Sequence, residues 1–368
     1  MDAVHLTTAH DPVDTRIFDK EATSLLEAGF SVGIMAHNPP QRAQNGVTFY
    51  DLGTTSSRLD RWQSISQVAR RAKEIDASIY HFHDPELIPV GVYLSSVTDS
   101  AVIYDVHEDF GHIVTIRPWI PKPLELPLSH GIPRFEQIAA KWFDGVVAVS
   151  QGIAAPFSDT DTRVIVAHNF PKTKSLPTIN DPIERKAEHV LCYVGGLEQD
   201  RGIYRMITLL NTLVNRGMDV ELWLLGSWSP AVDQVRVRRH IRHFDLESHI
   251  RFPGHLTYSE MFQYLYSADV GLALLDTEHY RNGVPTKLFE YLYAGLPIVA
   301  TPIEAVDQYI PDEYCYTVSQ EDTVAAADAV EEAVRSDFDV TAMQSLVEDK
   351  YSWEAEAESL VALYEELL

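Results

Sequence analysis

Cysteine is almost missing from this chain: Cys192 and Cys315 are the only two in 368 residues, and both fall in apolar, strand-like runs. That count supports neither a disulfide framework nor a zinc cluster of paired cysteines. Lysine is scarce as well. Nine lysines and twenty arginines face 54 acidic residues, leaving a formal charge of −25. Such a surface repels phosphate, so no nucleic-acid partner is expected. The composition suits a protein kept soluble in a high-salt cytoplasm. Long apolar runs are also lacking, none reaching the roughly 18 residues of a membrane span. The opening MDAVHLTTAHDPVDTR has no basic segment followed by an apolar one, so no signal peptide is expected. The expectation is a soluble, cytoplasmic protein.

What is present is enough for packed cores. Hydrophobic residues make up 45% and aromatics 10%, and the length exceeds one ordinary core, so two domains are expected. FSVGIMA, ASIYHF, AVIYDVH, GVVAVS and RVIVAH read as buried parallel strands. A helix is expected near 16–28, with Phe18, Ala22 and Leu25 inside and Gly29 at its end. The proline-rich PKTKSLPTINDPIERKAEH has no apolar period and reads as a linker. A second series follows: VLCYVG, a helix at 203–216, VELWLLG, IRFPG, DVGLALL and PIVAT. In the tail, Trp353, Ala357, Leu360, Tyr364 and Leu367 form the apolar stripe of a helix expected to return to the first domain. The fold expected is α/β, two doubly wound Rossmann-like domains facing a cleft. The expected division is 1–171, a linker at 172–188, 189–351, and a terminal helix at 352–368.

Ligands of parallel sheets sit beyond the carboxyl ends of strands. Here those places hold His10 to Arg16, His83-Asp84-Pro85-Glu86, His107-Glu108-Asp109, Ser150 and His168-Asn169. One polar strand end is usually a turn or a cap; several on one sheet form a rim fit for a ligand. The second series answers with Gly195-Gly196 after its first strand, and with Arg201 and Gly202 at the next helix. Glycine admits a phosphate close to backbone and arginine forks onto its oxygens; the alternative is a tight turn with a surface arginine.

Within YRNGVPTKLFEYLYAGLPIVAT, residues 280–301, Pro285 opens a helix, and Gly295 and Pro297 end it. Lys287 and Glu290 stand on one face of it. A cation in a first helical turn opposes the helix dipole, unless an anionic ligand sits there; the alternative is a solvated surface lysine.

Assembled in order, these segments resemble the GT-B glycosyltransferases of family 4, the group 1 glycosyltransferases. HDPVDTRIFDKEATSLLEAGFSV, YHFHDPELIP, VIYDVHEDF, FDGVVAVSQGI, YVGGLEQDRGI, PTKLFEYLYAGLPIVAT and SWEAEAESLVALYEEL all fit the family pattern. The resemblance implies a nucleotide-sugar donor on the second domain and an acceptor, a saccharide or lipid-linked saccharide, against the first. It implies retention of anomeric configuration, with no metal and no further cofactor. Glu290 matches the glutamate that holds the donor ribose, a task that suits a carboxylate. Arg201 falls where the family places a lysine on the diphosphate. Lys287 is similar to a lysine that some subgroups use there, and His107 matches a histidine near the donor sugar. The catalytic candidates are thus His107, Arg201 and Lys287. The donor-binding set is Gly195, Gly196, Arg201, Asn282, Pro285, Thr286, Lys287, Leu288 and Glu290. His10, Asp11, Arg16, His83, Asp84 and Glu108 are the acceptor-side set. The family's first glutamate is Asn282 here, which excludes a double displacement through that residue. Its diphosphate arginine is Gly196, so phosphate charge would rest on Arg201, Lys287 and backbone amides.

Three rivals share these residues. A metal-dependent hydrolase would use His81, His83 and His107 with Asp84 and Glu108, since His81 and His83 share a strand face. A nucleotide-sugar epimerase of similar fold would need no acceptor. A silent binding module would suit Asn282 and Gly196. RPWIPKPLELPL, residues 117–128, has no amphipathic helix period and reads as a cover for the sheet edge; the alternative is peripheral membrane contact through Trp119, Ile120, Leu124 and Leu126. VRVRRHIRHF reads as a solvated helix face, with attraction to anionic lipid as the alternative.

Overall fold

The computed structural model describes residues 1–55, 58–116, 120–176, 182–229 and 234–368. They form two compact units: Met1–Asn169 with Trp353–Leu368, and Phe170–Ser352.

In the first unit the described strands are β1 (Ala3–Leu6), β2 (Val32–Ala36), β3 (Thr48–Asp51), β4 (Ile79–Phe82), β5 (Ala101–Val106), β6 (Gly145–Ala148) and β7 (Arg163–Val166). They pair in the order β3-β2-β1-β4-β5-β6-β7, all parallel. Every residue of β1, β2, β4 and β6 is buried, because helices cover both faces of a parallel sheet. The order of neighbours reverses between β1 and β4, which makes that crevice the ligand position of a doubly wound sheet.

The helix expected at 16–28 is a wide π turn, Ile17–Ala22, followed by a short α-helix, Thr23–Glu27. The wide turn differs from the sequence expectation for a reason: it carries Lys20 and Glu21 inward together with Ile17, Phe18 and Ala22. Residues 117–119, with Trp119, lie outside the described residues. The stretch after them is corrected: Lys122–Ala140 is a helix despite Pro127 and Pro133 within it. Its Glu136, Ala139 and Ala140 are buried. The terminal helix Trp353–Leu367 packs on the first unit, burying Trp353, Leu360, Leu363 and Tyr364 against Ile34, Ile79, Ile103 and Val147. Trp353 Nε1 donates to Ser24 Oγ at 2.9 Å.

The second unit repeats the design with β8 (His189–Val194), β9 (Val220–Leu225), β10 (Ile250–Gly254), β11 (Val270–Ala273), β12 (Ile298–Ala300) and β13 (Cys315–Thr317), in the order β10-β9-β8-β11-β12-β13. Its reversal lies between β8 and β11. Phe170 already belongs to this unit's core, its ring edge-on to Phe289 at 4.6 Å. The helix Gln234–His243 packs Val237 and Ile241 inward and leaves its arginines facing solvent.

Because the terminal helix completes the first unit's core, Leu360→Ala is expected to cost about 2–5 kcal/mol. The loss should appear as an earlier unfolding transition of the first unit while that of the second stays in place. Calorimetry reads both, and a variant unfolding as the wild type would refute the packing role.

Candidate active site

The second unit's crevice is built around a bare piece of backbone. β8 runs into Gly195, which has φ +133, and β9 ends at Gly226 with φ +145. A Cβ on Gly226 would lie 2.0 Å from Gly195 O, so only glycine lets the two strand ends pass this closely. Gly202, φ +84, is the left-handed cap of the helix Ile203–Asn215, and a Cβ there would meet Leu274 O at 2.1 Å. These contacts fix the loop that carries Arg201.

Three polar tips converge above Gly195. A Cβ at that position would sit 3.0 Å from Tyr193 Oη, 3.1 Å from Lys287 Nζ and 3.3 Å from Arg201 Nη1. Tyr193 Oη donates to Gly196 O at 2.9 Å, and Lys287 Nζ lies 4.2 Å from the Tyr193 ring centroid. Lys287 is 7% exposed, so it is no surface lysine. Neither Lys287 Nζ nor the buried Arg201 Nε has a hydrogen-bond partner, though Glu198 stands 3.8 Å from Arg201 Nε. Burial, then the Arg201 charge, push the Lys287 ammonium down to about 7 against the pull of Glu290. Two like charges thus stand side by side over the half-buried backbone of Gly195, each disfavouring the other.

The helix behind them is described from Lys287 to Tyr293, entered by a tight turn in which Pro285 O and Thr286 O accept from Leu288 N and Phe289 N. Asn282, Pro285 and Thr286 are half-buried in that approach, and Glu290 is 6% exposed. Leu288 is corrected: its side chain is fully buried in the core, so it anchors the helix and offers a ligand no side chain. Gly295, φ +77, ends the helix.

In the first unit the strand-end residues divide into a surface set and a buried set. His10, His107, Asp11 and Glu108 reach solvent, and the His10 ring stands 4.7 Å from that of His107. Asp11 Oδ1 accepts from Val13 N at 2.9 Å. Three acceptor-side assignments are corrected. Arg16 is 4% exposed and fully engaged: it pairs with Asp105 through Nε and Nη2 at 3.2 Å, with Glu21 Oε1 at 2.9 Å, and donates to Ala167 O at 2.9 Å. His83 is 1% exposed, with Nδ1 at 3.2 Å from Asp105 Oδ2 and Nε2 at 2.9 Å from His5 Nδ1. Asp84 is 2% exposed, and its Oδ2 accepts from Thr7 Oγ1 and Thr8 N, holding the loop that presents His10. These three support the rim from behind.

Asp105 and Glu21 divide one negative charge. Burial alone would raise Asp105, but Arg16 and the neighbouring imidazoles hold it well below the usual carboxylate range. Burial and the Asp105 charge push Glu21 well above it. Burial likewise depresses His81 and His83, and takes His5 to about 4. The paired Arg16 and Asp105 thus sit among neutral groups, a balance the low dielectric demands.

Two groups here have the spacing of metal ligands: His5, Glu21, His81 and His83, and His83, Asp105 and His107. In the second group the three donor atoms lie 3.1–3.2 Å apart, which suits one face of a coordination shell. Arg16 already pairs with both acids, supplying the positive charge that an ion would bring.

Sequence reading missed His5, Glu21, Asp105, Tyr193 and Gly226. Asp105 and His5 carried a signal, being polar residues inside the apolar runs AVIYDV and AVHL; Tyr193 looked like any core aromatic.

The two sheets and this crevice define a GT-B glycosyltransferase. The model described as "Glycosyltransferase Family 4" matches residues 16–172, and that described as "Glycosyl transferases group 1" matches 188–336. The chain belongs to the group 1, family 4 glycosyltransferases. Among solved structures it is similar to a sucrose-phosphate synthase of Thermosynechococcus elongatus (15% identity, TM-score 0.79, covering 100% of this chain and 99% of that one). It is also similar to HepE of Anabaena in complex with UDP (13%, 0.71, 100% of both chains). A trehalose-6-phosphate protein of E. coli bound with UDP-2-fluoro glucose matches equally widely (12%, 0.72, 100% of both chains). At these identities the likeness is one of fold. No curated protein matches the sequence.

A buried cation without a partner should cost stability. The folded state binds fewer protons at Lys287 than the unfolded state between pH 7 and 10, so stability should rise with pH there, by at most about 1.4 kcal/mol per unit. Lys287→Met should remove that rise and unfold no earlier than the wild type at pH 7. Denaturant midpoints at pH 7, 8 and 9 test this; a variant that keeps the slope would show that Lys287 is not its source.

Proposed function

We propose that this glycosyltransferase moves a hexose from a nucleotide-diphosphate sugar to a hydroxyl of a saccharide or lipid-linked saccharide, with retention and without a metal ion. The observation that carries the reading is the mutually repelling pair Arg201 and Lys287 above the bare backbone of Gly195. A diphosphate placed there gives Lys287 a partner, adds one to the Glu198 that Arg201 already has, and takes further bonds from backbone amides. UDP is the first nucleotide to try, because HepE holds it.

In the reaction the bond between the anomeric carbon and the β-phosphate oxygen breaks, and negative charge grows on the departing diphosphate. Arg201 and the buried Lys287 neutralise that charge, and burial strengthens such help. The acceptor oxygen bonds to the anomeric carbon on the face that the phosphate leaves, and its proton passes to that phosphate. Glu290 takes the donor ribose hydroxyls, with Asn282 on the sugar side. His107, oriented by Asp105 at 3.1 Å, lines the acceptor side with His10, Asp11 and Glu108. A carboxylate nucleophile is not part of this scheme, since Asn282 has no charge to offer.

Among the described residues no helix is long and apolar enough to cross a membrane; the reading keeps the enzyme in the cytoplasm, with any membrane contact peripheral. The close triangle of His83, Asp105 and His107 favours metal-dependent hydrolysis as the second reading. Incubation with UDP-, GDP- and ADP-sugars and a panel of saccharide acceptors separates them. Acceptor-dependent release of nucleoside diphosphate that survives a strong chelator supports transfer. Loss of activity on chelation supports the hydrolase, and a changed sugar on the donor without acceptor supports an epimerase.

Donor binding should also be linked to protons. The diphosphate raises the Lys287 pKa from about 7, so binding takes up a proton as pH rises above 7. Affinity should weaken by up to about tenfold per unit there. Calorimetric titration of UDP in two buffers of different ionisation enthalpy measures the uptake. The Lys287→Met variant should bind without it; uptake that persists would point to another group.

A further inference from the structure

Three histidines interrupt an apolar inner face of the first unit's sheet. His5 on β1 is the direct neighbour of His81 on β4, and His83, two residues on, points the same way. Their companions on that face include Ile79, Ile103 and Val147, packed under the terminal helix. The wide turn Ile17–Ala22 adds Glu21 from the covering layer; widened turns of this kind recur at functional sites. All four side chains are at most 1% exposed.

Their polar atoms are left over. His5 Nε2, His81 Nε2 and both Glu21 oxygens have no hydrogen-bond partner. Arg16 Nε stands 2.9 Å from Glu21 Oε1, but without hydrogen-bond alignment, since its nitrogens donate to Asp105 and to Ala167 O. One guanidinium thus satisfies one carboxylate, and Glu21 is left for another cation. Unmet polar atoms in a core are costly, and four at one point call for a shared partner.

A metal ion fits that place. One donor atom from each of the four residues lies within 4.8 Å of the others. His5 Nδ1 is 2.9 Å from His83 Nε2 and 3.7 Å from Glu21 Oε2, which is 4.0 Å from His83 Nε2. Donors on a tetrahedral zinc ion stand about 3.3 Å apart, so small side-chain shifts close the shell. The far ring nitrogens are already held as ligating histidines need. His83 Nδ1 is 3.2 Å from Asp105 Oδ2, and His81 Nδ1 is 2.8 Å from Tyr364 Oη. The rings of His10 and His107 lead in from solvent, with His107 Nε2 at 3.1 Å from His83 Nδ1.

We propose that His5, Glu21, His81 and His83 form a buried structural site for one divalent transition-metal ion, with zinc the ion that their nitrogen and oxygen donors suit. Four protein ligands leave no position for a substrate, so the ion ties β1, β4 and the wide turn together and takes no part in transfer. The inference is independent of the transfer reading, because its test counts bound metal.

The full chain is purified without a metal-affinity step, stripped by unfolding with a chelator, refolded and titrated with zinc chloride. Protein as isolated is titrated in parallel, so a failed refolding leaves the test intact. Elemental analysis and native mass spectrometry should find one zinc per chain that survives gel filtration, and the unfolding midpoint should rise with it. Cobalt(II) in its place should give the intense visible bands of tetrahedral coordination. Glu21→Gln, which keeps the side chain's shape, should weaken zinc binding at least about a hundredfold, and Tyr364→Phe about tenfold. His107→Ala should retain its zinc. Metal counts on chelator-treated samples accompany the transfer assay, so activity lost by unfolding is told apart from activity that needs an ion. A wild type that binds no zinc overturns the proposal, and so does a Glu21→Gln variant that binds it equally well. Zinc lost from His107→Ala but kept by Glu21→Gln would place the ion at the outer triangle of His83, Asp105 and His107 instead.

Discussion

A lysine ammonium without a hydrogen-bond partner, placed beside an arginine in a mostly buried pocket, is the constraint on which the second unit's crevice turns. Burial disfavours Lys287 as an ion, Arg201 disfavours it further, and Glu290 offsets only part of this. A fold optimised for stability alone would put a methionine or leucine there. The surroundings instead keep the charge in place. Gly226 permits the close crossing of two strand ends, Gly202 permits the turn that aims Arg201, and Tyr193 lays its ring under the ammonium. Each of these is a local concession in backbone or packing, and together they keep positive potential at one point beyond the end of β8.

The same topology produces the opposite electrostatics in the first unit. Its reversal between β1 and β4 gathers Thr7, Thr8, His83 and Asp84 at adjacent strand ends, yet the charges there are matched. Arg16 serves Asp105 and Glu21, Asp84 serves the Thr7–Thr8 backbone, and the buried imidazoles are held neutral. What reaches solvent is a modest set, His10, His107, Asp11 and Glu108, on a stiff backing. One crevice is thus short of negative charge while the other is balanced internally. That contrast fits an anionic donor on one unit and an uncharged hydroxyl acceptor on the other.

Much of this was legible in the sequence, because its signals are local. Valine- and isoleucine-rich runs separated by helical periods specify parallel strands, and polar residues at their ends mark the rim. The terminal helix could be placed on the first unit because its stripe of Trp353, Leu360 and Tyr364 needs a core to enter. The failures have physical causes too. Arg16, His83 and Asp84 stand where surface residues would, and only tertiary pairing turns them inward. Leu288 sits inside the stretch expected to bind the donor, but its side chain follows the helix period into the core. The Lys122–Ala140 helix was hidden by its prolines, whose rule forbids a helix interior more firmly than this helix obeys.

Asn282 shows where binding and chemistry part. The residues assigned to the donor stand together: a buried Lys287 beside a half-buried Arg201, a glycine turn and a half-buried loop leading to Glu290. The position that would supply a second carboxylate holds an amide, Asn282. Glu198, the carboxylate near Arg201, pairs with the guanidinium at 3.8 Å, and the proposed scheme gives Glu290 to the ribose. On the proposed reading, catalysis comes from stabilising the leaving diphosphate and from positioning the acceptor. In that proposal the ammonium of Lys287 gains its partner only as the donor binds, and its charge matters most as the phosphate departs.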